Sequence, residues 1–307
     1  MRSIFIVNPG SGPQDATASI KAELERLQPK DCEVYVTTAP MDAAHYVRNM
    51  CESTTEPLRF FACGGDGTLN EVINGAAGFS HAAVGCYPCG SGNDFVKYYG
   101  GKTPFLSIEG LLNGHTEPID LLRVNDRYAV NIVNFGFDAR VAERMIAFRR
   151  FPLLKGHRAY YAAIARSLFD SMRTNVHMSA DGETLCENQL LLCTLGNGGF
   201  VGGSFHCSPR ADIADGLMEV CAVSPISLLT MVRLMTPYKR GELLDNPAFA
   251  PFIRYRRAKS VSIEAPAPIA LCLDGEMVYG TDFTVTCEKH ALTIILPEGA
   301  KKQEGRT

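Results

Sequence analysis

The residues Gly64-Gly65-Asp66-Gly67-Thr68 follow directly on the apolar run Leu58-Arg59-Phe60-Phe61-Ala62-Cys63. Three glycines there surround one carboxylate and one hydroxyl at the end of an expected buried strand. Glycine lets a backbone approach a ligand closely, and successive N–H groups in such a turn form an anion-binding concavity. Leu69-Asn70-Glu71-Val72-Ile73-Asn74 reads as a helix, whose N-terminus also favours anions. Asp66 would repel a bare phosphate. Its presence makes sense if a cation or a water network stands between them, so the chemistry indicated is the binding of nucleotide phosphates. The competing reading is that Asp66 caps the helix that follows.

Two more segments are of the same kind: Asn8-Pro9-Gly10-Ser11-Gly12 and Gly90-Ser91-Gly92-Asn93-Asp94-Phe95. Each alone reads as a turn between strand and helix; three at one edge of a sheet read as a ligand cleft. Two common nucleotide motifs are excluded. Gly101-Lys102-Thr103 resembles the end of a Walker A loop, but Val96 stands where its first glycine is required, and Gly90-Ser91-Gly92 is followed by Asn93-Asp94-Phe95 rather than completing G-x-G-x-x-G.

The elements that position these loops alternate over the first 120 residues. Strands are expected at 3–7, 32–37, 58–63 and 82–87, and helices at 15–27, 41–52, 68–76, 93–99 and 105–113. This alternation implies a parallel sheet covered by helices, and such sheets bind ligands at the carboxyl ends of their strands. From Pro118 onward the pattern changes to short strands broken by turns such as Asn125-Asp126, Asp181-Gly182 and Asp274-Gly275, with a helical stretch over 142–172 and another from 226 to 244. The expected fold is α/β with two domains. Residues 1–122 form an open parallel α/β domain with the glycine-rich nucleotide site. Residues 123–298 form a mainly antiparallel β domain with helical insertions, whose last strand can return to the first domain, and 299–307 are a polar tail.

The 307-residue chain exceeds the size at which one core stops growing. Its net charge of −3 and pI near 6.2 exert no global pull on nucleic acid. The N-terminal apolar run is too short for a signal-peptide core, and no stretch reaches the ~18 apolar residues of a membrane span. Eleven cysteines in apolar contexts suit a reducing compartment. Cys86-Tyr87-Pro88-Cys89 is a lone C-x-x-C, read as a strand running into a turn rather than as a redox or metal pair. The expected location is cytoplasmic.

The segments N-P-G-S-G, G-G-D-G-T-L-N-E-V-I-N-G and G-S-G-N-D-F, in this order and spacing, resemble the diacylglycerol kinase catalytic domain, and the whole chain is similar to the soluble bacterial lipid kinases of that family. Asn197-Gly198-Gly199-Phe200-Val201-Gly202-Gly203, Pro209-Arg210-Ala211 with Asp215-Gly216, and Asp274-Gly275-Glu276 match the family's second-domain segments. NAD kinases and phosphofructokinases also carry G-G-D-G-T, so the joint pattern carries the resemblance.

The resemblance implies an ATP- and Mg2+-dependent kinase of diacylglycerol or a related lipid alcohol, with its active site in the cleft between domains. ATP would contact Asn8, Pro9, Ser11, Gly12, Gly64, Gly65, Gly67, Thr68, Glu71, Gly90, Ser91, Gly92, Asn93 and Lys97. Asp66, Asp94 and Asp120 match positions that organise an active-site Mg2+ and its waters, a sparse carboxylate set of the kind Mg2+ favours. Asp274 matches the presumed general base for the lipid hydroxyl, with Glu276 beside it and Asp66 completing the catalytic set. Asp215, with the backbone of Asp212 and Leu217, matches a second, structural Mg2+ site. Chemistry alone does not separate Asp274-Gly275-Glu276 from the same tripeptide at Asp181-Gly182-Glu183, and either also suits a tight hairpin turn. Two departures stand out: Pro13-Gln14-Asp15 replaces a basic residue common in relatives, and Lys97 stands where many have Arg, giving a point charge rather than a bidentate fork.

Residues 148–155 and Arg254-Tyr255-Arg256-Arg257 mix basic and apolar side chains in a way that suits a transient anionic membrane surface; a solvated face is the plain alternative. The partners implied are a lipid alcohol and a membrane surface, with no nucleic acid; a homodimer stays open. Two other functions remain to be distinguished: a kinase of a soluble alcohol such as NAD, and a catalytically weak nucleotide- or membrane-binding protein on the same scaffold.

Overall fold

A computed structural model describes residues 1–148, 162–163, 166–167 and 173–302. The chain divides into two compact units, one of Met1–Leu121, Ile213–Asp215 and Glu288–Glu304, the other mainly of Leu122–Asp212 and Gly216–Cys287.

The first unit alternates β1 (Arg2–Val7), α1 (Thr17–Leu27), β2 (Cys32–Val36), α2 (Asp42–Ser53), β3 (Leu58–Gly64), α3 (Asp66–Ala76), β4 (Ala82–Pro88), α4 (Asp94–Tyr98), α5 (Ile108–Leu112) and the start of β5 (His115–Val124). β2, β1, β3 and β4 lie side by side and parallel. Ile4, Phe5, Ile6, Val7, Phe60, Phe61 and Val84 are fully buried, because a parallel sheet covered on both faces leaves no polar side to its strands. Phe5 and Phe61, opposite each other in register, stack with ring centroids 4.6 Å apart. α2 and α3 meet at Gly75, where a β-carbon would stand 2.6 Å from the Ala44 carbonyl oxygen.

The second unit holds β6 (Arg127–Ala129), β7 (Ile132–Gly136), α6 (Phe137–Phe148), β8 (His177–Ala180), β9 (Glu183–Cys186), β10 (Leu192–Gly196), β11 (Met218–Val223), α7 (Leu228–Lys239), β12 (Ile253–Ala258) and β13 (Ser260–Leu273). β14 (Glu276–Leu296) begins in this unit and ends in the first, where Thr293 and Ile294 pair in parallel with Ala83 and Val84. The order β12-β11-β10-β7-β13-β14 is antiparallel throughout. Alternation sorts its two faces. Val133, Phe135, Cys193, Leu195, Val220 and Ala222 enter one core with Val261, Leu271 and Val285. The opposite face packs on α6 and α7 through Phe137, Val141, Leu192, Cys221, Met231 and Leu234.

Local chemistry moves several expected boundaries. α1 starts at Thr17, with Ala16 as its N-cap residue, rather than at Asp15, which stands outside the helix and whose Oδ1 accepts the Thr17 N–H at 2.8 Å. The helix expected over 105–113 is interrupted at Ser107, whose Oγ accepts the Gly110 N–H at 2.9 Å and starts α5 after a 3-10 turn at Thr103–Leu106. The helix expected over 142–172 begins earlier, at Phe137, and of the expected stretch beyond Phe148 only 162–163 and 166–167 are among the described residues. No helix among the described residues is long and apolar enough to cross a membrane.

Candidate nucleotide-phosphate site

The three glycine segments leave the carboxyl ends of β1, β3 and β4, three adjacent parallel strands, and lock together. Asn8 Nδ2 donates to Thr68 Oγ1 at 3.1 Å, joining the first segment to the second. The Gly64 carbonyl accepts the amides of Cys89 at 2.8 Å and Gly90 at 3.2 Å, joining the second to the third. Backbones touch where the side chains are missing. A β-carbon on Gly90 would collide with Gly65 Cα, and one on Gly12, at φ +84°, with the Cys89 carbonyl oxygen. Asn8 Oδ1 and Asn93 then brace their own loops through the amides of Gly10 at 3.0 Å and Gly90 at 3.1 Å.

Gly67 differs from these. It is exposed, lies in the first turn of α3, and a β-carbon there would meet nothing within 4 Å. A glycine inside a helix costs about 1 kcal/mol relative to alanine, and no packing contact offsets that cost here. A bare backbone facing open space beside uncapped helix amides is what a phosphate group needs. No side chain caps α3.

The capping alternative for Asp66 does not hold. Its Oδ1 instead accepts the backbone N–H of Asp94 at 2.5 Å, tying the second loop to α4. Asp94 in turn accepts from Lys97 Nζ at 2.5 Å, in a pair whose side chains are only 10% and 25% exposed. A pair this shielded is screened less than a surface ion pair. A β-carbon on Gly92 would lie 2.5 Å from Asp66 Oδ2 and 3.8 Å from Asp94 Oδ2, so Gly92 makes room for both carboxylates. Two carboxylates at this spacing, with one ammonium in partial compensation, fit a Mg2+ ion that keeps most of its waters.

The other expected residues take different places. Asp120, on β5, is fully buried, and its Oδ1 accepts the His290 N–H at 2.7 Å. Its own amide donates to the Ile213 carbonyl at 2.7 Å, and the Ile213 amide to Tyr98 Oη at 3.3 Å, which links β5 to the end of α4. Glu71 turns to α2 and accepts the Ala43 N–H at 3.3 Å. Ser11 Oγ would be 3.4 Å from a β-carbon on Gly65, while Pro9 and Ser91 are exposed. Asp215 lies on the 212–217 segment with Asp212 and Leu217. Among the described residues no group of three or more His, Cys, Asp or Glu side chains converges as a metal cage. Burial, and then the Asp66 charge, pushes the Cys86 thiol up, and burial does the same for Cys89. Both are free cysteines, at the point where β4 ends at Pro88.

In the second unit Asp274 and Gly275 form the two-residue turn between β13 and β14, with φ +50° and +104°, the left-handed pair of a type I′ turn. The Asp274 carboxylate accepts a row of three backbone amides: Val130 at 2.6 Å, Asn131 at 3.1 Å and Ile132 at 2.8 Å. That segment is held from its other side too. The Asn131 carbonyl accepts the amides of Asn197 and Gly198, each at 2.8 Å, and Asn197 Nδ2 donates to the Val130 carbonyl at 2.8 Å. Asp181 and Gly182 repeat the turn, with φ +48° and +82°, and Asp181 accepts the Lys259 and Ser260 amides at 3.0 and 2.9 Å. The Asp181 bonds are exposed, whereas those of Asp274 are partly buried. Glu276 is exposed at the start of β14. The sequence singles out Asp274 and the Asn197 segment but not the Val130–Ile132 row that bonds to both. Backbone donors leave no mark on residue type, so nothing in the sequence signals it.

Of the two basic patches, residues 149–155 lie outside the described ones. On β12, Arg254 donates to the Leu185 carbonyl at 2.6 Å and Arg256 pairs with Glu183 at 2.7 Å, so part of that patch is spent within its own unit.

Comparison with known proteins places this geometry in context. Residues 2–124 match the family model described as diacylglycerol kinase catalytic domain. Residues 131–296 match the one described as YegS C-terminal NAD kinase beta sandwich-like domain. The chain is 29% identical over 282 residues to a diacylglycerol kinase of Bacillus subtilis, covering 90% of this chain and 89% of the relative. It is 28% identical to a protein of Alcanivorax borkumensis named probable lipid kinase YegS-like, covering 89% and 90%. In fold it resembles the crystal structure of a diacylglycerol kinase from Bacillus anthracis, with a TM-score of 0.72 at 19% identity over 97% of this chain and 98% of that one. An NAD kinase from Archaeoglobus fulgidus in complex with ATP shares the fold more distantly, with a TM-score of 0.53 at 12% identity over 97% and 94%.

Proposed function

The chain belongs to the diacylglycerol kinase and YegS-like lipid kinase family, and from that premise we propose that it transfers the γ-phosphoryl group of ATP to the hydroxyl of diacylglycerol or a related lipid alcohol. The observation that carries the reading is the three-loop unit with its Asp66–Asp94 link and the open face of Gly67. The loop amides and the α3 N-terminus would hold the phosphates. Asp66 and Asp94, with Asp120 as a third carboxylate, would hold Mg2+ through its waters. When bound, Mg2+ neutralises charge on the transferring phosphoryl group.

Asp274 is the proposed base. Its carboxylate would take the proton of the lipid hydroxyl as that oxygen attacks the γ-phosphorus. The bond from phosphorus to the bridging oxygen then breaks, and ADP leaves. Glu276 would orient the acceptor beside it, and Asp215 would serve a structural metal on its segment.

Incubation with γ-labelled ATP and Mg2+ against a panel of vesicle-borne lipid alcohols tests the proposal. Label in a lipid phosphate supports it. Label transferred only to NAD, the acceptor suggested by the second matched domain's description, overturns it in favour of a soluble-alcohol kinase.

A further inference from the structure

Among the described residues, seven large apolar side chains are strongly exposed, and three of them sit within five positions of α7: Leu228, Leu229 and Val232, the last two 80% and 63% exposed. Single exposed apolar residues are ordinary; a group is not. At 100° per residue, Leu228, Lys239, Val232, Thr236, Leu229, Arg240 and Arg233 fall in this order on one arc of about 140°. Apart from Thr236, these exposed residues are apolar in the first turns of α7 or basic. Met231 and Leu234 face the other way, into the unit's core. Among the described residues neither Arg233 nor Lys239 has a carboxylate partner, and Lys239 lies 5.8 Å over the Phe205 ring. Arg240 has one loose contact, to Glu242 at 3.9 Å.

We infer that this arc of α7 is a membrane-docking face, seated on a lipid bilayer that carries anionic headgroups. Leu228, Leu229 and Val232 enter the boundary between headgroups and acyl chains, while Arg233, Lys239 and Arg240 lie against the headgroup phosphates. The commitment to a bilayer rests on charge: the cations on the arc complement an anionic surface, and an apolar strip rimmed by basic residues is how an interfacial helix is built. The inference rests on the lipid-kinase reading for its purpose, since the acceptor lives in a bilayer, but the surface itself is measurable without turnover.

The test is flotation of the full chain with vesicles of phosphatidylglycerol and phosphatidylcholine in equal parts, and with phosphatidylcholine alone. The wild-type chain binds the first more strongly than the second. Leu229→Glu with Val232→Glu lowers partition to the anionic vesicles about tenfold or more, and Leu229→Trp raises it. Arg233→Gln narrows the difference between the two vesicle types. The double variant also loses rate on vesicle-borne diacylglycerol while keeping it on dihexanoylglycerol monomers in buffer. Partition of the double variant within twofold of wild type overturns the inference. So does a change of its oligomeric state in light scattering, which would make α7 a contact between copies. If neither protein phosphorylates any lipid, the kinase reading fails, whereas flotation still decides the docking face.

Discussion

Asp66 Oδ1 accepts the backbone N–H of Asp94 at 2.5 Å, so the carboxylate of one glycine loop fixes the start of the next loop's helix. The same side chain reaches the space above Gly92 with its other oxygen. One residue thus joins two loops and, in the proposed site, would also face the bound metal. Asp66→Asn keeps an acceptor for the Asp94 amide but removes the charge. The variant is expected to melt within a few degrees of wild type and to lose turnover about a hundredfold or more. Melting curves and initial rates on the same samples check this. A variant that melts normally and turns over normally would remove Asp66 from the metal set.

Gly67 and Gly90 should respond in opposite ways to one methyl group. Gly67→Ala meets no neighbour and improves helix propensity, so it raises unfolding free energy by about 0.5–1 kcal/mol while weakening ATP binding. Gly90→Ala drives a β-carbon into Gly65 Cα and costs about 1–3 kcal/mol through backbone displacement. Urea unfolding and ATP titration calorimetry separate the two. A Gly67→Ala variant with wild-type ATP affinity would mean that the open face is not where phosphate binds.

The two D-G-E turns allow an internal control. Asp274→Asn and Asp181→Asn each weaken carboxylate bonds to backbone amides, worth about 1.5–3 kcal/mol for a charged acceptor, with the exposed Asp181 at or below the low end. Both variants should therefore lose stability, and only Asp274→Asn should lose turnover, through kcat rather than KM. Equal kcat for the two variants would reduce Asp274 to a turn residue.

Asp138 supplies a pH dependence. Burial raises its carboxyl to about 6, above the ~3.9 of an unfolded chain, with Tyr238 Oη at a long 3.5 Å. Between these values the native state holds a proton that the unfolded chain has released. Stability from this group is therefore complete below about pH 4 and is lost as pH rises through 6. Asp138→Asn should raise unfolding free energy by about 1–2 kcal/mol at pH 8 and change it little at pH 4. Urea midpoints at the two pH values test this; an equal shift at both would contradict it.

Local pattern made much of this legible. The unbroken burial of Phe60 through Cys63 follows from the apolar run, and the glycine loops fall at the strand ends that alternation places together. The partners of the carboxylates were not legible. Asp66 was open to reading as a cap because its amide partner lies 28 residues away. Asp274 could not be told from Asp181 because its three amide donors are 142 to 144 residues away. Tertiary hydrogen bonds to backbone depend on where chains cross, and residue type carries no record of that. The apolar arc of α7 was hidden for a related reason: its spacing fits a buried stripe as well, and only packing decides which arc of a helix faces out.

The most direct test of the account is the rate of lipid-phosphate formation from γ-labelled ATP and Mg2+ on diacylglycerol vesicles, with NAD as a second acceptor in parallel, for wild type and Asp66→Asn. The account predicts labelled lipid phosphate from the wild type, dependence on Mg2+, negligible label in NADP, and a loss of about a hundredfold or more in the variant. Label in NADP with none in lipid, or an unchanged rate in Asp66→Asn, would contradict it.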